Sequence, residues 1–191
     1  MDFLEFPKMP RLTRRCIITE KLDGTNAQVY IADDGAILFG SRTRWITPED
    51  DNYGFAAWAT KNAVQLRELG PGRHFGEWWG AGIQRKYGLT EKRFSLFNVE
   101  RWGAIRPACC HVVPVLFDGM FSTERAQECI ENLAVSGSRA APGFLDPEGI
   151  VIFHTAGNFV MKKTIKKDEV PKTHQTTAPT GTIKESHEID T

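Results

Sequence analysis

Glu20-Lys21-Leu22-Asp23-Gly24 decides how the rest of this chain is read. It follows the apolar run Cys16-Ile17-Ile18 and precedes the alternating run Ala27-Gln28-Val29-Tyr30-Ile31. Lys21 therefore falls where one strand ends and the next begins. A lysine held at such a junction can be buried, loses hydration and becomes a nucleophile. The pattern Lys-x-Asp-Gly arises by chance in roughly one chain in twenty-five of this length, so alone it decides nothing. The alternative, a solvated strand-end lysine, stands until other residues supply partners for a nucleotide.

Working outward, the 191 residues predict one domain, or one domain and a tail. The 24 Lys and Arg balance the 24 Asp and Glu, which argues against a protein held to nucleic acid by bulk charge and leaves a local basic groove open. No apolar run approaches the roughly 20 residues of a membrane span. The start, Met1-Asp2-Phe3-Leu4-Glu5-Phe6-Pro7, carries neither a basic nor an apolar leader segment, so no signal peptide is expected. Cys16, Cys109, Cys110 and Cys129 form no Cys-x-x-Cys pair, which predicts reduced thiols in a cytoplasmic protein and no zinc site.

Residues 14–20 and 27–32 read as strands, and Asp33-Asp34-Gly35 as a tight turn into a returning strand over 36–41. Residues 45–52 read as a loop. The spacing of Phe55, Trp58, Ala59, Leu66 and Leu69 predicts one helix over 53–69, stopped by Gly70-Pro71-Gly72. Further strands are expected over 74–78, 94–99, 112–117, 149–154 and 158–163. Ser122 is the expected N-cap of a helix over 123–133. From Asp168 onward Thr, Lys, Glu and Pro dominate, predicting a mobile tail over 168–191. Hairpins with interspersed helices give an α+β class with mainly antiparallel sheets.

Moving AMP from ATP onto a lysine needs cations on the α-phosphate, a metal ligand, an aromatic face for the base and polar groups for the ribose. The chain offers Lys21 as nucleophile and Asp23 beside it, to orient the lysine or bind ribose or metal. Arg42, in Ser41-Arg42-Thr43-Arg44, suits a phosphate or ribose oxygen. Glu77, in Gly76-Glu77-Trp78-Trp79-Gly80, suits a ribose hydroxyl. Phe97 offers a stacking face, Glu148 before Gly149-Ile150-Val151-Ile152 a metal ligand, and Lys162 an ammonium for the α-phosphate. Each has an ordinary alternative: a turn aspartate, a hairpin arginine, a surface glutamate, a core phenylalanine, a solvated basic tail. There is no Gly-x-x-x-x-Gly-Lys-(Ser/Thr) and no Gly-x-Gly-x-x-Gly after a strand.

In order and context, Lys-x-Asp-Gly, Ser-Arg, Gly-Glu, Phe-Asn, Glu-Gly-Ile-Val and the closing Lys resemble the motif series of covalent nucleotidyltransferases. Over about residues 14–172 the chain resembles ATP-dependent RNA ligases of the RNA ligase 2 type, short phage-like members in particular, and Gly82-Ile83-Gln84-Arg85-Lys86-Tyr87 fits that group. The resemblance implies a nucleotidyltransferase (ATP-grasp-like) domain over 1–167, with two mainly antiparallel sheets and flanking helices. Such ligases usually add a C-terminal domain; little remains after Lys167 to build one, so no appended C-terminal domain is expected, the largest departure from the family. It implies ATP and Mg2+ or Mn2+ as cofactors, and AMP carried on Lys21, passed to a 5′-phosphate and displaced by a 3′-hydroxyl. Glu20, Lys21, Asp23, Arg42, Glu77, Phe97, Glu148 and Lys162 would form the nucleotide site. Lys21 and Lys162 would be catalytic, Glu148 and Asp23 the metal ligands. The implied partners are nicked duplexes or RNA ends in the cytoplasm, or the host cytoplasm for a phage protein, and a partner protein in place of the absent domain. Arg85, Lys86, Lys92, Arg93, Arg101 and Arg106 would grip a duplex. Two positions depart from the pattern: Asn98 stands where an Asp is usual, and Thr164 where a second Lys is usual. The competing readings are a minimal DNA ligase, a self-adenylating module that needs a partner to seal, and a capping guanylyltransferase.

Overall fold

The computed structural model describes residues 1–169. The tail expected over 168–191 lies almost wholly outside the described residues. Among the described residues ten strands form two sheets. Strands β1 (Arg15–Lys21), β8 (Val115–Met120), β9 (Gly149–His154) and β10 (Phe159–Thr164) make a four-stranded sheet in the order β10-β9-β1-β8. Strands β2 (Thr25–Ile31), β3 (Ile37–Gly40), β4 (Trp45–Ile46), β5 (Gly72–Gly80), β6 (Lys92–Leu96) and β7 (Cys110–Val112) make the other, in the order β4-β3-β2-β5-β6-β7. Every pairing is antiparallel except β6 with β7. The expected α+β class with mainly antiparallel sheets is the one observed.

Alternation along β1 sets the layers. Cys16 and Ile18 pack with Ile150, Ile152 and the apolar stripe Ala126, Ile130 and Leu133 of α4 (Thr123–Ser136). Ile17, Thr19 and Lys21 face the other way, into the space between the sheets. The second core lies on the far side of the larger sheet. There Val29, Phe39, Trp78, Phe94 and Leu96 pack against Phe55, Ala56 and Ala59 of α1 (Phe55–Lys61).

The single helix expected over 53–69 is broken. Tyr53 and Gly54 have positive φ, so the helix starts at Phe55, where the Asp51 carboxylate accepts from the Ala56 and Ala57 amides at 2.8 and 2.9 Å. It stops at Asn62, whose side chain donates to the Trp58 carbonyl at 2.8 Å and competes with the backbone ladder. The shorter α2 (Ala63–Leu66) and a 3-10 turn follow. The strand expected over 112–117 is two strands in different sheets. Pro114 breaks the ladder, and the chain crosses there: Val113 donates to Leu96 of one sheet, and Pro114 accepts from Glu20 of the other. The helix α3 (Val99–Trp102) was not expected. Asn98 caps it, accepting from the Arg101 amide at 3.0 Å. An Asp or an Asn serves that cap, so the departure at this position leaves the local structure intact.

Gly24 closes the motif because no side chain fits there. A Cβ would press into the Trp78 carbonyl oxygen and the Trp79 Cβ. Gly24→Ala is expected to cost about 1–3 kcal/mol, the usual range for overpacking, read as a lowered denaturant midpoint. An unchanged midpoint would show that the turn yields freely.

Candidate active site

A cavity of about 760 Å³ lies between the sheets. Along β1 it runs from Lys21 past Thr19 to Ile17, and Val151 and Phe153 of β9 and Val160 and Lys162 of β10 extend the same wall. The larger sheet supplies Asn26 and Glu77, which are cross-strand partners. Phe97 to Glu100, Arg42, Glu20, Leu22, Val113 and Met161 complete the lining. Six of the eight expected site residues, Glu20, Lys21, Arg42, Glu77, Phe97 and Lys162, therefore line this one cavity, and Glu148 reaches it through Lys21.

Lys21 Nζ donates to Glu148 Oε2 at 2.6 Å, with the glutamate side chain 2% and the lysine 19% exposed. The register explains the meeting: Lys21 pairs with Gly149, so the residue before β9 sits beside the end of β1. Glu77 accepts from the Gly24 amide at 3.0 Å and the Asn26 side chain at 3.1 Å. Burial pushes its carboxyl from an ordinary 4.5 up to about 7, with Lys21 nearby opposing that rise. A carboxyl raised on folding favours the native state most below its unfolded value and loses that contribution as pH climbs through about 7. The native-state stability of wild type relative to Glu77→Gln is accordingly expected to fall as pH rises between about 4.5 and 7. Denaturant midpoints across that range would show it, and parallel profiles would contradict it.

Two expected ligands are placed differently. Glu20 borders the cavity, but its carboxylate is engaged by the segment that follows α4. It accepts from Ser138 Oγ at 2.5 Å and from the Arg139 and Ala140 amides at 2.8 and 3.0 Å. Burial raises its pKa and these donors oppose the rise. Alternation puts Glu20 there as surely as it puts Lys21 inside. Asp23 is absent from the cavity wall. Its Oδ2 accepts from Arg85 Nε at 3.0 Å, and its amide donates to the Tyr87 hydroxyl at 2.7 Å. Arg85 also holds Asp146 at 2.7 Å, so the loop after β5 ties the Lys21 turn to the segment before Glu148.

At the closing motif Lys162 pairs with Val151 on the cavity face, while Lys163 pairs with Ile150 on the α4 face. A regular strand thus turns Lys163 away from the cavity, as alternation predicts, and its Nζ lies 3.9 Å from Asp168. Thr164 donates its amide to Asp168 at 2.8 Å. Asn26, Thr19, Val151 and Phe153 were not singled out in the sequence. Alternation marks them as sharing faces with Lys21, Glu77 and Lys162, but only the facing of the two sheets makes that one site. The basic grip expected of six residues is largely internal. Arg85 and Arg93 pair with carboxylates, and Lys92, Arg101 and Arg106 donate to backbone carbonyls; Lys86 is exposed.

Two facing sheets around a cavity that ends in a Lys-x-Asp-Gly lysine and a buried glutamate define a domain of the covalent nucleotidyltransferase class. Within that class the chain belongs to the RNA ligase family, whose model matches residues 14–167. No curated protein sequence matches it. Among solved structures it resembles RNA ligase of Naegleria gruberi. A ligand-free variant is 24% identical with a TM-score of 0.60, matched over 80% of this chain and 50% of that one. A variant with AMP and Mn is 24% identical with a TM-score of 0.61, over 79% and 49%. One with ATP and Mn is 22% identical with a TM-score of 0.60, over 78% and 48%. The chain thus spans about half the length of the ligases it resembles.

Proposed function

We propose that this chain is an ATP-dependent RNA ligase that carries AMP on Lys21. The observation that carries the reading is the convergence of Lys21 and buried Glu148, 2.6 Å apart, at the end of a cavity also lined by Glu77, Arg42, Phe97 and Lys162. Membership of the RNA ligase family supports it, as do the ATP, AMP and Mn held by the Naegleria gruberi structures.

Lys21 Nζ attacks the α-phosphorus of ATP, a P–N bond forms, the P–O bond to pyrophosphate breaks, and the proton lost from the nitrogen passes to water. Glu148 orients the amine, and Lys162 and Arg42 offset charge developing on the phosphoryl oxygens. Phe97 stacks on the base, and Glu77, held by Gly24 and Asn26, receives a ribose hydroxyl. The AMP then passes to a strand's 5′-phosphate and leaves when a 3′-hydroxyl attacks. Among the described residues no cluster of three or more acidic, His or Cys side chains could hold a metal. The site fits Mg2+ or Mn2+ instead through the hard oxygens of Glu148, with phosphate oxygens and waters filling the shell. When bound, such an ion offsets charge on the phosphates and the leaving pyrophosphate. Asp23, engaged by Arg85, is a holder of the turn in this reading rather than a metal ligand. A partner protein or a further domain would help hold the duplex, and the thiols fit a cytoplasmic setting.

Nicked duplexes with ribose or deoxyribose at the 3′-hydroxyl side test the reading. Sealing with a preference for ribose supports it. Sealing of deoxyribose nicks alone would make it a DNA ligase, and protein labelling without joining of any end would make it a self-adenylating module.

A further inference from the structure

The cavity does not end the face of the larger sheet on which it lies. On β5 that face carries Trp79, Glu77, Phe75 and Arg73 in turn. Trp79 is buried and Glu77 lines the cavity, but Phe75 is 51% exposed. Across the ladder Asn26 pairs with Glu77, Gln28 with Phe75 and Tyr30 with Arg73. On the following strands Leu38 and Trp45 continue the face, 47% and 44% exposed. Arg73 lies over two of these rings, 4.9 Å from the Tyr30 centroid and 5.3 Å from that of Trp45, and donates to Gln28 at 3.1 Å. Phe97, 41% exposed, donates its amide to the Phe75 carbonyl, so the cavity residue Phe97 is the backbone neighbour of Phe75 on this ledge. Arg42, in the β3–β4 turn, stands at the junction between the two.

Large apolar side chains exposed together on one face are uncommon in a monomer unless the face binds something. Here they are aromatic, interleaved with guanidinium groups, on a sheet. That is the chemistry that stacks unpaired bases and meets backbone phosphates. Consecutive positions on the face are about 7 Å apart along a strand, room for one base at each ring. Bases inside a duplex are already stacked and cannot use such rings. We infer that this ledge, Phe75, Tyr30, Trp45 and Arg73, binds a single-stranded stretch of the RNA whose end enters the cavity between Phe97 and Arg42. The inference rests on the ligase reading for the identity of the strand, not for the existence of the surface. It also accounts for a protein of zero net charge whose other basic side chains near the site are mostly tied to its own carboxylates and carbonyls.

The test is anisotropy of a fluorescent, 5′-phosphorylated oligoadenylate, single-stranded or annealed to its complement, against wild type, Trp45→Ala and Phe75→Ala. Both side chains are half exposed and neither touches the Lys21 machinery, so folding and labelling by ATP should be unchanged. Each variant is expected to bind the single strand about tenfold more weakly, the scale of one lost base–aromatic stack, and to bind the duplex as wild type does. Trp45→Phe should recover most of the affinity. Unchanged single-strand affinity in both variants would overturn the inference. So would an equal loss for the duplex, or a variant whose only change is a shift from dimer to monomer in sedimentation, which would make the ledge a contact between copies. Tenfold losses in a protein that ATP never labels would leave the ledge standing and remove the ligase reading. Labelling and sealing with unaltered affinities would do the reverse.

Discussion

Lys21→Ala is expected to abolish covalent labelling by α-labelled ATP. Among the described residues, the one lysine of the cavity lining with a carboxylate at 2.6 Å is Lys21. Lys162 lines the same cavity from the edge strand β10, exposed, where it suits a phosphate rather than the attack. Removing Lys21 also strips the partner from a glutamate that is 2% exposed, so a loss of labelling in Lys21→Ala alone could reflect a damaged fold. Lys21→Arg separates the two. The guanidinium keeps the ion pair with Glu148, yet it stays protonated at any usable pH and cannot attack phosphorus. The expected result is a native melting profile with no label. Labelling of either variant would show that another side chain carries the nucleotide.

Glu148→Ala is expected to slow labelling by more than tenfold, over ~1.4 kcal/mol of transition-state stabilisation. The carboxylate holds Lys21 at 2.6 Å, and in the proposed reading it also offers a hard oxygen to a divalent ion. Breaking a buried pair by deleting one partner costs about 3–5 kcal/mol, an upper bound here because Lys21 keeps some contact with solvent. The alanine variant should therefore also melt lower. Glu148→Gln keeps the volume and a hydrogen-bond acceptor while removing the charge, so it should recover much of the stability and little of the rate. Single-turnover labelling at saturating ATP, beside thermal unfolding, reads both. A wild-type rate in Glu148→Gln would take the carboxylate's charge out of the chemistry.

Much of this site is legible in the sequence because its parts sit at strand ends, where local signals are strong. The apolar run into Lys21, the Gly24 turn and Glu148 before a buried strand mark their places without knowledge of the fold. Alternation also predicts that Lys162 and Lys163 face opposite ways, as β10 shows. What is not legible depends on distant pairing. The same alternation that sends Lys21 into the cavity sends Glu20 to Ser138, but only the docking of α4 says that this is a separate environment. Asp23 stands in the motif beside the nucleophile, and its bond to Arg85 comes from a loop 62 residues away. The helix over 53–69 failed on side-chain chemistry, Asn62 against its own backbone and Asp51 as a cap from outside the helix. The strand over 112–117 failed on Pro114, whose meaning as a crossing between sheets appears only once both sheets exist. The ledge went unread because Tyr30, Trp45, Arg73 and Phe75 are scattered in the chain and adjacent only in the ladder.

The most direct test of the central claim is a pulse and chase. The protein is labelled with α-labelled ATP and a divalent cation, freed of ATP, and given a 5′-phosphorylated RNA strand beside a 3′-hydroxyl. The account predicts that label leaves Lys21, appears as AMP capping the 5′-phosphate, and is released as the strands join. Label that remains on Lys21 through the chase, with the strand unchanged, would contradict it.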